Sequence, residues 1–314
     1  MGLDPAVRKF LDTKPDSGDP DATIAARRTV IRRGSDQLFD LFGAAVDPVA
    51  VEQDFALPRP GGDIRVRVYG PAGAAGLPIH LFVHGGGFWL GSIDERVNEA
   101  MCRERSRGAG CVVVAVDYRL SPEHRFPIPV EDCYAALLWA VDHGPEIGGD
   151  PGNVSIGGVS AGATLAAAVT LLARDRGTPG LRMQLLEVPA LDLTLDGMRS
   201  SGVGDDYGIT VGEMELCREL YLPSPRSRRD PLASPLHTPG VAGLPPTRIM
   251  TAEFDPLRNE GELFAARLSE AGVPVSHRRY PGAVHGSLAL TRTWPPAQAW
   301  HDDVVQALRQ AHAR

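Results

Sequence analysis

The sequence predicts an α/β protein with a mostly parallel central sheet flanked by helices. Two patterns carry that prediction: short apolar runs alternate with longer helical stretches from about residue 64 onward, and the runs are rich in β-branched residues. Size and composition agree with it. The chain has 314 residues, 43% hydrophobic and 23% charged, which suits one core with a small appended lid.

Residues 1–50 are polar and partly helical, with an amphipathic stretch near 22–42, and are expected to form the N-terminal part of a helical cap. IRVRVYG (64–70) alternates with period two and reads as a half-exposed strand. IHLFVH (79–84), CVVVAVD (111–117) and NVSIGG (153–158) have the short, β-branched character of buried strands. Helical patterns follow at 130–142, 160–175, 257–271 and 297–313, and LRMQLLEVP (181–189), TRIMTAE (247–253) and VSHRRYP (275–281) supply three more strands. Strand–helix–strand repetition gives a parallel sheet, which binds ligands beyond the carboxyl ends of its strands. Residues 192–240 break the rhythm, with one helix (213–222) among Gly-, Ser- and Pro-rich connections. Such long excursions tend to be lids. The expected layout is therefore a core from 51–191 and 241–314, with 1–50 and 192–240 packing together over the site.

A net charge of −7 argues against nucleic acid or an anionic membrane as the main partner. Basic character is carried almost wholly by arginine, since lysine stands only at Lys9 and Lys14, and arginines spread over the whole chain are not expected to make a patch. The four cysteines, Cys102, Cys111, Cys133 and Cys217, lie far apart without metal-ligand spacing. MGLDPAVRKF has charges where a signal peptide needs an apolar core, Ala6 stands where a myristoylation motif wants Ser or Thr, and no membrane-length apolar segment follows. A reduced, cytoplasmic location without stable membrane insertion is expected.

Gly158-Val159-Ser160-Ala161-Gly162 matches G-x-S-x-G between a predicted strand and a predicted helix. That context places a serine on a strained turn with its Oγ clear of the sheet, in the α/β-hydrolase fold. Gly158 and Gly162 suit a turn too crowded for side chains, and the helix N-terminus offers unpaired N–H groups to a developing anion. His84-Gly85-Gly86-Gly87 ends an upstream strand and matches the loop that supplies an oxyanion-hole N–H in this fold. His84 is expected to hold that loop rather than act as the base.

The chain then resembles the hormone-sensitive-lipase-like family of esterases (bacterial class IV) from about residue 64 to 290. HGGGFWLGS (84–92), VDYRLSPEHRFP (116–127), EDCYAALLW (131–139), DPLASPL (230–236), GLPPTRIMTAEFDPLRNEG (243–261) and YPGAVHGS (280–287) stand in the family's order. The resemblance implies a carboxylic ester hydrolase for small or medium acyl groups, with no metal or organic cofactor, and a homodimer. Chain order in this fold is Ser, then Asp or Glu, then His. His277, His285, His301 and His312 compete for the base; His285 stands on a loop after a strand, and the family's histidine falls on it. Asp255 precedes a helix in DPLRNEG, where the family keeps its acid, with Asp192, Asp196 and Glu253 as rivals and a plain helix cap as the other role for Asp255.

Catalytic Ser160, Asp255 and His285 are thus expected with an oxyanion hole of Gly86, Gly87 and Ala161. Val159, Ala163 and Ser287 depart from the family's usual residues. Asp117 is expected to form an ion pair with Arg119 or Arg125. Phe88, Trp89, Tyr207 and Met214 are candidates for the substrate pocket, although Phe88 and Trp89 equally suit the core. An amidase or deacetylase with the same triad, or a ligand-binding protein on the same scaffold, are the alternative readings.

Overall fold

The computed structural model describes residues 2–13, 19, 21–73, 75–177 and 180–313. The elements run α1 (Pro5–Thr13), α2 (Ile24–Phe42), β1 (Val51–Leu57), β2 (Ile64–Gly70), β3 (Leu77–Val83), α3 (Arg96–Ala109), β4 (Val112–Asp117), α4 (Ile128–Asp142), β5 (Gly149–Val159), α5 (Ala161–Asp175) and β6 (Met183–Glu187). There follow α6 (Asp196–Arg199), α7 (Val211–Tyr221), β7 (Thr247–Ala252), α8 (Arg258–Glu270), β8 (Val275–Tyr280) and α9 (Pro295–His312). The strands form one eight-stranded sheet in the order β1-β2-β4-β3-β5-β6-β7-β8. β1 pairs antiparallel with β2 and β2 with β4, and the pairs from β4 through β8 are parallel.

Alternation along the central strands feeds two cores, one on each face of the sheet. Leu81, Val83, Val112, Val114, Val116 and Ile156 pack with α4, α5 and α8. Phe82, Val113, Ala115 and Leu185 face the other way, against α3 and α9. Both sides of β3 and β4 are buried, which is why their sequences read as unbroken apolar runs.

Three elements were not predicted from the sequence: β1, α3 and the short α6, which lies within 192–240 where one helix was expected. β1 carries Glu52, Gln53 and Asp54 in succession on an exposed edge. α3 is rich in arginine and glutamate, yet it buries Asn98, Arg105 and Ser106 and stops at Gly110 in the left-handed conformation (φ 64°). The expected helix, α7, begins at Val211 because Thr210 and Glu213 form a reciprocal cap: the Thr210 hydroxyl accepts from the Glu213 N–H at 3.1 Å, and the Glu213 carboxylate from the Thr210 N–H at 2.8 Å. Of the predicted cap segment 1–50, residues 1, 14–18 and 20 lie outside those described. No helix among the described residues is long and apolar enough to cross a membrane.

Candidate active site

Ser160 is the hinge between β5 and α5, with φ 55° and ψ −122°. A non-glycine residue held there stores about 1–3 kcal/mol of strain, so the surroundings must fix it. The Ser160 N–H donates to the Glu187 carbonyl at 2.8 Å, and its own carbonyl accepts from Ala163 and Thr164 at 2.9 and 3.1 Å. The flanking glycines are required by contact: a Cβ on Gly158 would stand 2.4 Å from the Gly162 carbonyl, and one on Gly162 would stand 2.2 Å from the Val83 oxygen. The elbow is thus pressed onto the end of β3, where the second motif begins.

After β3 the chain turns through Gly86 (φ 120°) and Gly87 (φ 58°). The Gly86 carbonyl accepts from Trp89 and Leu90 at 3.2 and 2.8 Å, closing a tight turn. A Cβ on Gly86 would meet the Leu90 oxygen at 2.2 Å, and one on Gly87 the Cys217 sulfur at 2.4 Å. Neither glycine N–H has a hydrogen-bond acceptor among the described residues. Ala161 opens α5, so its N–H is one of the four a helix leaves without a partner. Gly85 lies against the elbow, its missing Cβ 3.5 Å from the Ser160 Cβ.

His84 is wholly buried away from Ser160. Its Nδ1–H donates to the Gly85 carbonyl at 2.8 Å, and its ring stacks on Tyr118 with centroids 4.4 Å apart. The Tyr118 hydroxyl donates to the His84 carbonyl at 3.1 Å. Burial pushes the His84 imidazole below its ordinary value, so it stays neutral and holds the loop. Phe88 (φ 69°) is buried and stacked on Tyr221 at 3.9 Å, and Trp89 is buried beneath the Arg27 guanidinium at 5.0 Å. Met214 is also buried, in α7, while Tyr207 stacks on Phe254 at 4.8 Å beside Asp255.

The carboxyl ends of β5, β7 and β8 bring three distant residues together. His285 Nε2 is 2.9 Å from Ser160 Oγ, and His285 Nδ1 is 2.7 Å from Asp255 Oδ2. Asp255 is 1% exposed, and its other oxygen accepts the Leu257 N–H at 2.9 Å, which fixes the carboxylate ahead of α8. Phe10 of α1 covers the histidine loop, 3.0 Å from where a Gly286 Cβ would be. Ser287 folds that loop on itself: its hydroxyl accepts the Val284 N–H at 3.1 Å and donates to the Val284 carbonyl at 2.8 Å.

The rivals are engaged elsewhere. His277 meets Thr251 at 2.9 Å, and His301 lies between Glu104 and the Leu288 carbonyl, 2.9 Å from each. His312 meets Ser155 at 2.9 Å in a buried contact shared with His80. Asp192 meets His237 at 2.8 Å, Asp196 approaches Arg229 at 3.7 Å, and Glu253 accepts the Gly282 N–H at 2.7 Å. Asp117 corrects the expectation made for it. It pairs at 3.0 Å with Arg65, its register partner on β2, while Arg119 binds Asp132 and Arg125 the Leu222 carbonyl. Strand neighbours far apart in sequence outcompete the residues two and eight positions on.

Sequence reasoning missed two supports of the site. The Glu187 carboxylate is ion-paired with Arg105 and accepts the Trp300 indole N–H at 2.8 Å, all three buried, directly behind the elbow. Arg28 of α2 donates to the Trp89 carbonyl at 2.7 Å, to the Ser121 carbonyl, and to both oxygens of Glu123. The signal for the first was a glutamate inside the apolar run LLEVP; the second left none.

A mostly parallel sheet with a strained serine at a strand–helix elbow, a glycine loop beside it and a histidine–aspartate pair at later strand ends defines an α/β-hydrolase. Residues 80–289 match the family model for the alpha/beta hydrolase fold. The chain is 40% identical to carboxylic ester hydrolase LipN of Mycobacterium tuberculosis, over 82% of this chain and 69% of that one. It is 35% identical to esterase LipI of the same organism, over 98% and 94%. Among solved structures, the hyperthermophilic esterase of the archaeon Pyrobaculum calidifontis superposes with a TM-score of 0.92 at 35% identity, covering 99% of each chain. The chain belongs to the hormone-sensitive-lipase-like family of α/β-hydrolases.

Proposed function

We propose that this carboxylic ester hydrolase works through Ser160 as nucleophile, His285 as general base and acid, and Asp255 as the residue that orients the imidazole. The unbroken chain Ser160 Oγ–His285–Asp255, with links of 2.9 and 2.7 Å, is the observation that carries the reading. His285 takes the Ser160 proton as Oγ attacks the ester carbonyl. The carbonyl π pair moves to oxygen, and the resulting oxyanion is held by the N–H groups of Gly86, Gly87 and Ala161. Collapse expels the alcohol, which receives the proton from His285, and leaves an acyl group on Ser160. A water deprotonated by His285 then releases the acid. Asp255 accepts the Nδ1–H throughout, fixing the tautomer and stabilising the imidazolium.

The substrates are short- to medium-chain esters, as the family resemblance implies. Residues 1–50 and 192–240 act as the cap: Phe10 of α1 lies on the histidine loop, and Leu11 is 3.2 Å from where a Gly208 Cβ would be. All four cysteines are buried and free, in keeping with a reducing cytoplasm. A homodimer remains the assembly implied by the family, decided by sedimentation.

The test is hydrolysis of p-nitrophenyl acetate, butyrate, octanoate and laurate beside a Ser160→Ala control, with an anilide run in parallel. Turnover favouring the shorter esters is expected, and the variant should lose about 10⁴–10⁶ in kcat. A control that retains most of the activity would remove Ser160 from the mechanism. An anilide cleaved faster than any ester would move the enzyme to the amidases.

A further inference from the structure

Five of the arginines converge at one place. A groove of about 590 Å³ opens beside α6 and α7, lined by Arg199, Arg218, Arg226, Arg228 and Arg229 with only two carboxylates, Asp196 and Glu215. Both carboxylates are poorly placed to balance the rest. Glu215 is bonded to Arg199 at 2.6 Å and lies 3.8 Å from Arg218; Asp196 lies 3.7 Å from Arg229. Both of the longer distances exceed a hydrogen bond.

Arg218 is the anomaly. It is 6% exposed, and among the described residues its guanidinium makes no hydrogen bond, its Nε being buried without a partner. Burial first, then the charge of Arg228, hold it below the usual arginine value. A buried cation is ordinarily compensated by an anion bonded to it. The nearest carboxylate, Glu215, is bonded to Arg199 instead and stands beyond hydrogen-bond reach of Arg218 at 3.8 Å.

We propose that this groove is a binding site for a phosphorylated small molecule whose phosphate sits on Arg218, flanked by Arg228 and Arg199. A guanidinium fork matches phosphate oxygens two at a time. The cationic surplus calls for more than one negative charge, and a phosphate monoester carries nearly two at neutral pH. The groove is larger than a bare phosphate ion and within the range of small-molecule sites. Its floor is α7, the helix that also seats Cys217 against Gly87 and Tyr221 against Phe88. The site is therefore separate from the ester reaction but built on an element that touches its oxyanion loop.

Isothermal titration of the full chain at low ionic strength with phenyl phosphate and with inorganic phosphate tests the proposal without involving turnover. Saturable binding of phenyl phosphate is expected, tighter than inorganic phosphate and weakened tenfold or more by Arg218→Met and by Arg228→Ala. Unliganded Arg218→Met should melt close to the wild type, because it removes a buried charge whose guanidinium makes no hydrogen bond. Should that variant fail to fold, Arg228→Ala decides the proposal by its affinity alone. Affinity unchanged in Arg228→Ala, heats matched by sodium chloride of equal ionic strength, or inorganic phosphate binding as tightly as its phenyl ester would each overturn it.

Discussion

Gly87 joins two constraints in one position: a φ of 58° and a Cys217 sulfur 2.4 Å from where a Cβ would stand. The left-handed region costs an alanine about 1–2 kcal/mol, whereas the sulfur belongs to a buried side chain on a packed helix and cannot swing away freely. The clash should therefore dominate. Gly87→Ala is expected to displace the loop and, with one of the proposed oxyanion donors lost, to lower kcat by about 10²–10³. Cys217→Ala alone should leave kcat near the wild type, and the double variant should recover most of what Gly87→Ala lost. Steady-state kinetics on one short ester decide it, and a double variant as slow as Gly87→Ala would make the backbone conformation the governing term.

At the scale of elements, α2 does more than cover the core. Arg28 links it to the Trp89 and Ser121 carbonyls and to Glu123, and Trp89 in turn donates to the Gly86 carbonyl. Arg28→Ala should loosen the oxyanion loop and lower kcat/KM about tenfold, the worth of one charge-assisted hydrogen bond. Arg28→Lys should restore little, because one ammonium cannot reach three separated partners. A lowered Tm with unchanged kcat/KM would reduce α2 to a structural cover. None of this was legible in the sequence, since a latch between residues 28 and 89 exists only after folding. Local patterns were legible: the apolar runs of β3, β4 and β5, and the two glycine motifs that follow β3 and β5. β1 was not, because Glu52, Gln53 and Asp54 on an edge strand imitate a loop. α3 was not, because it buries Arg105 and Asn98, against the rule that periodic burial is apolar. The arginine groove was hidden for a related reason: α6, α7 and the segment around Arg226–Arg229 meet only in three dimensions.

Across the whole molecule, the polar groups sealed between the sheet and α9 set how it responds to acid. Ser155 on β5 stands 2.9 Å from both His80 on β3 and His312 at the end of α9. Burial, and then Arg182, push the His312 imidazole down to about 4; burial, and then Arg105, hold His80 well below its ordinary value. An unfolded histidine titrates near 6.5. Between that pH and about 4 the unfolded chain therefore binds a proton that folded His312 refuses, and stability falls as pH drops through this window. The His312 share is on the order of 3 kcal/mol at the acid end and nothing above pH 7. His301 works in the opposite sense: burial alone would lower it, but the hydrogen bond and charge of Glu104 outweigh that and hold it above its ordinary value. Its contribution is full below about 6.5 and disappears as pH rises through the folded value. Urea denaturation of wild type and His312→Gln from pH 7.5 to 4.5 separates these terms, because glutamine can still hydrogen-bond Ser155 but cannot be protonated. The variant is expected to lose about 1 kcal/mol at pH 7.5 and to fall less steeply with acid, so that the two curves converge towards pH 4.5. Parallel curves would mean that His312 takes up its proton as readily in the folded as in the unfolded chain, and the acid sensitivity would then come from His80 and from carboxylates held below their ordinary values, such as Asp303.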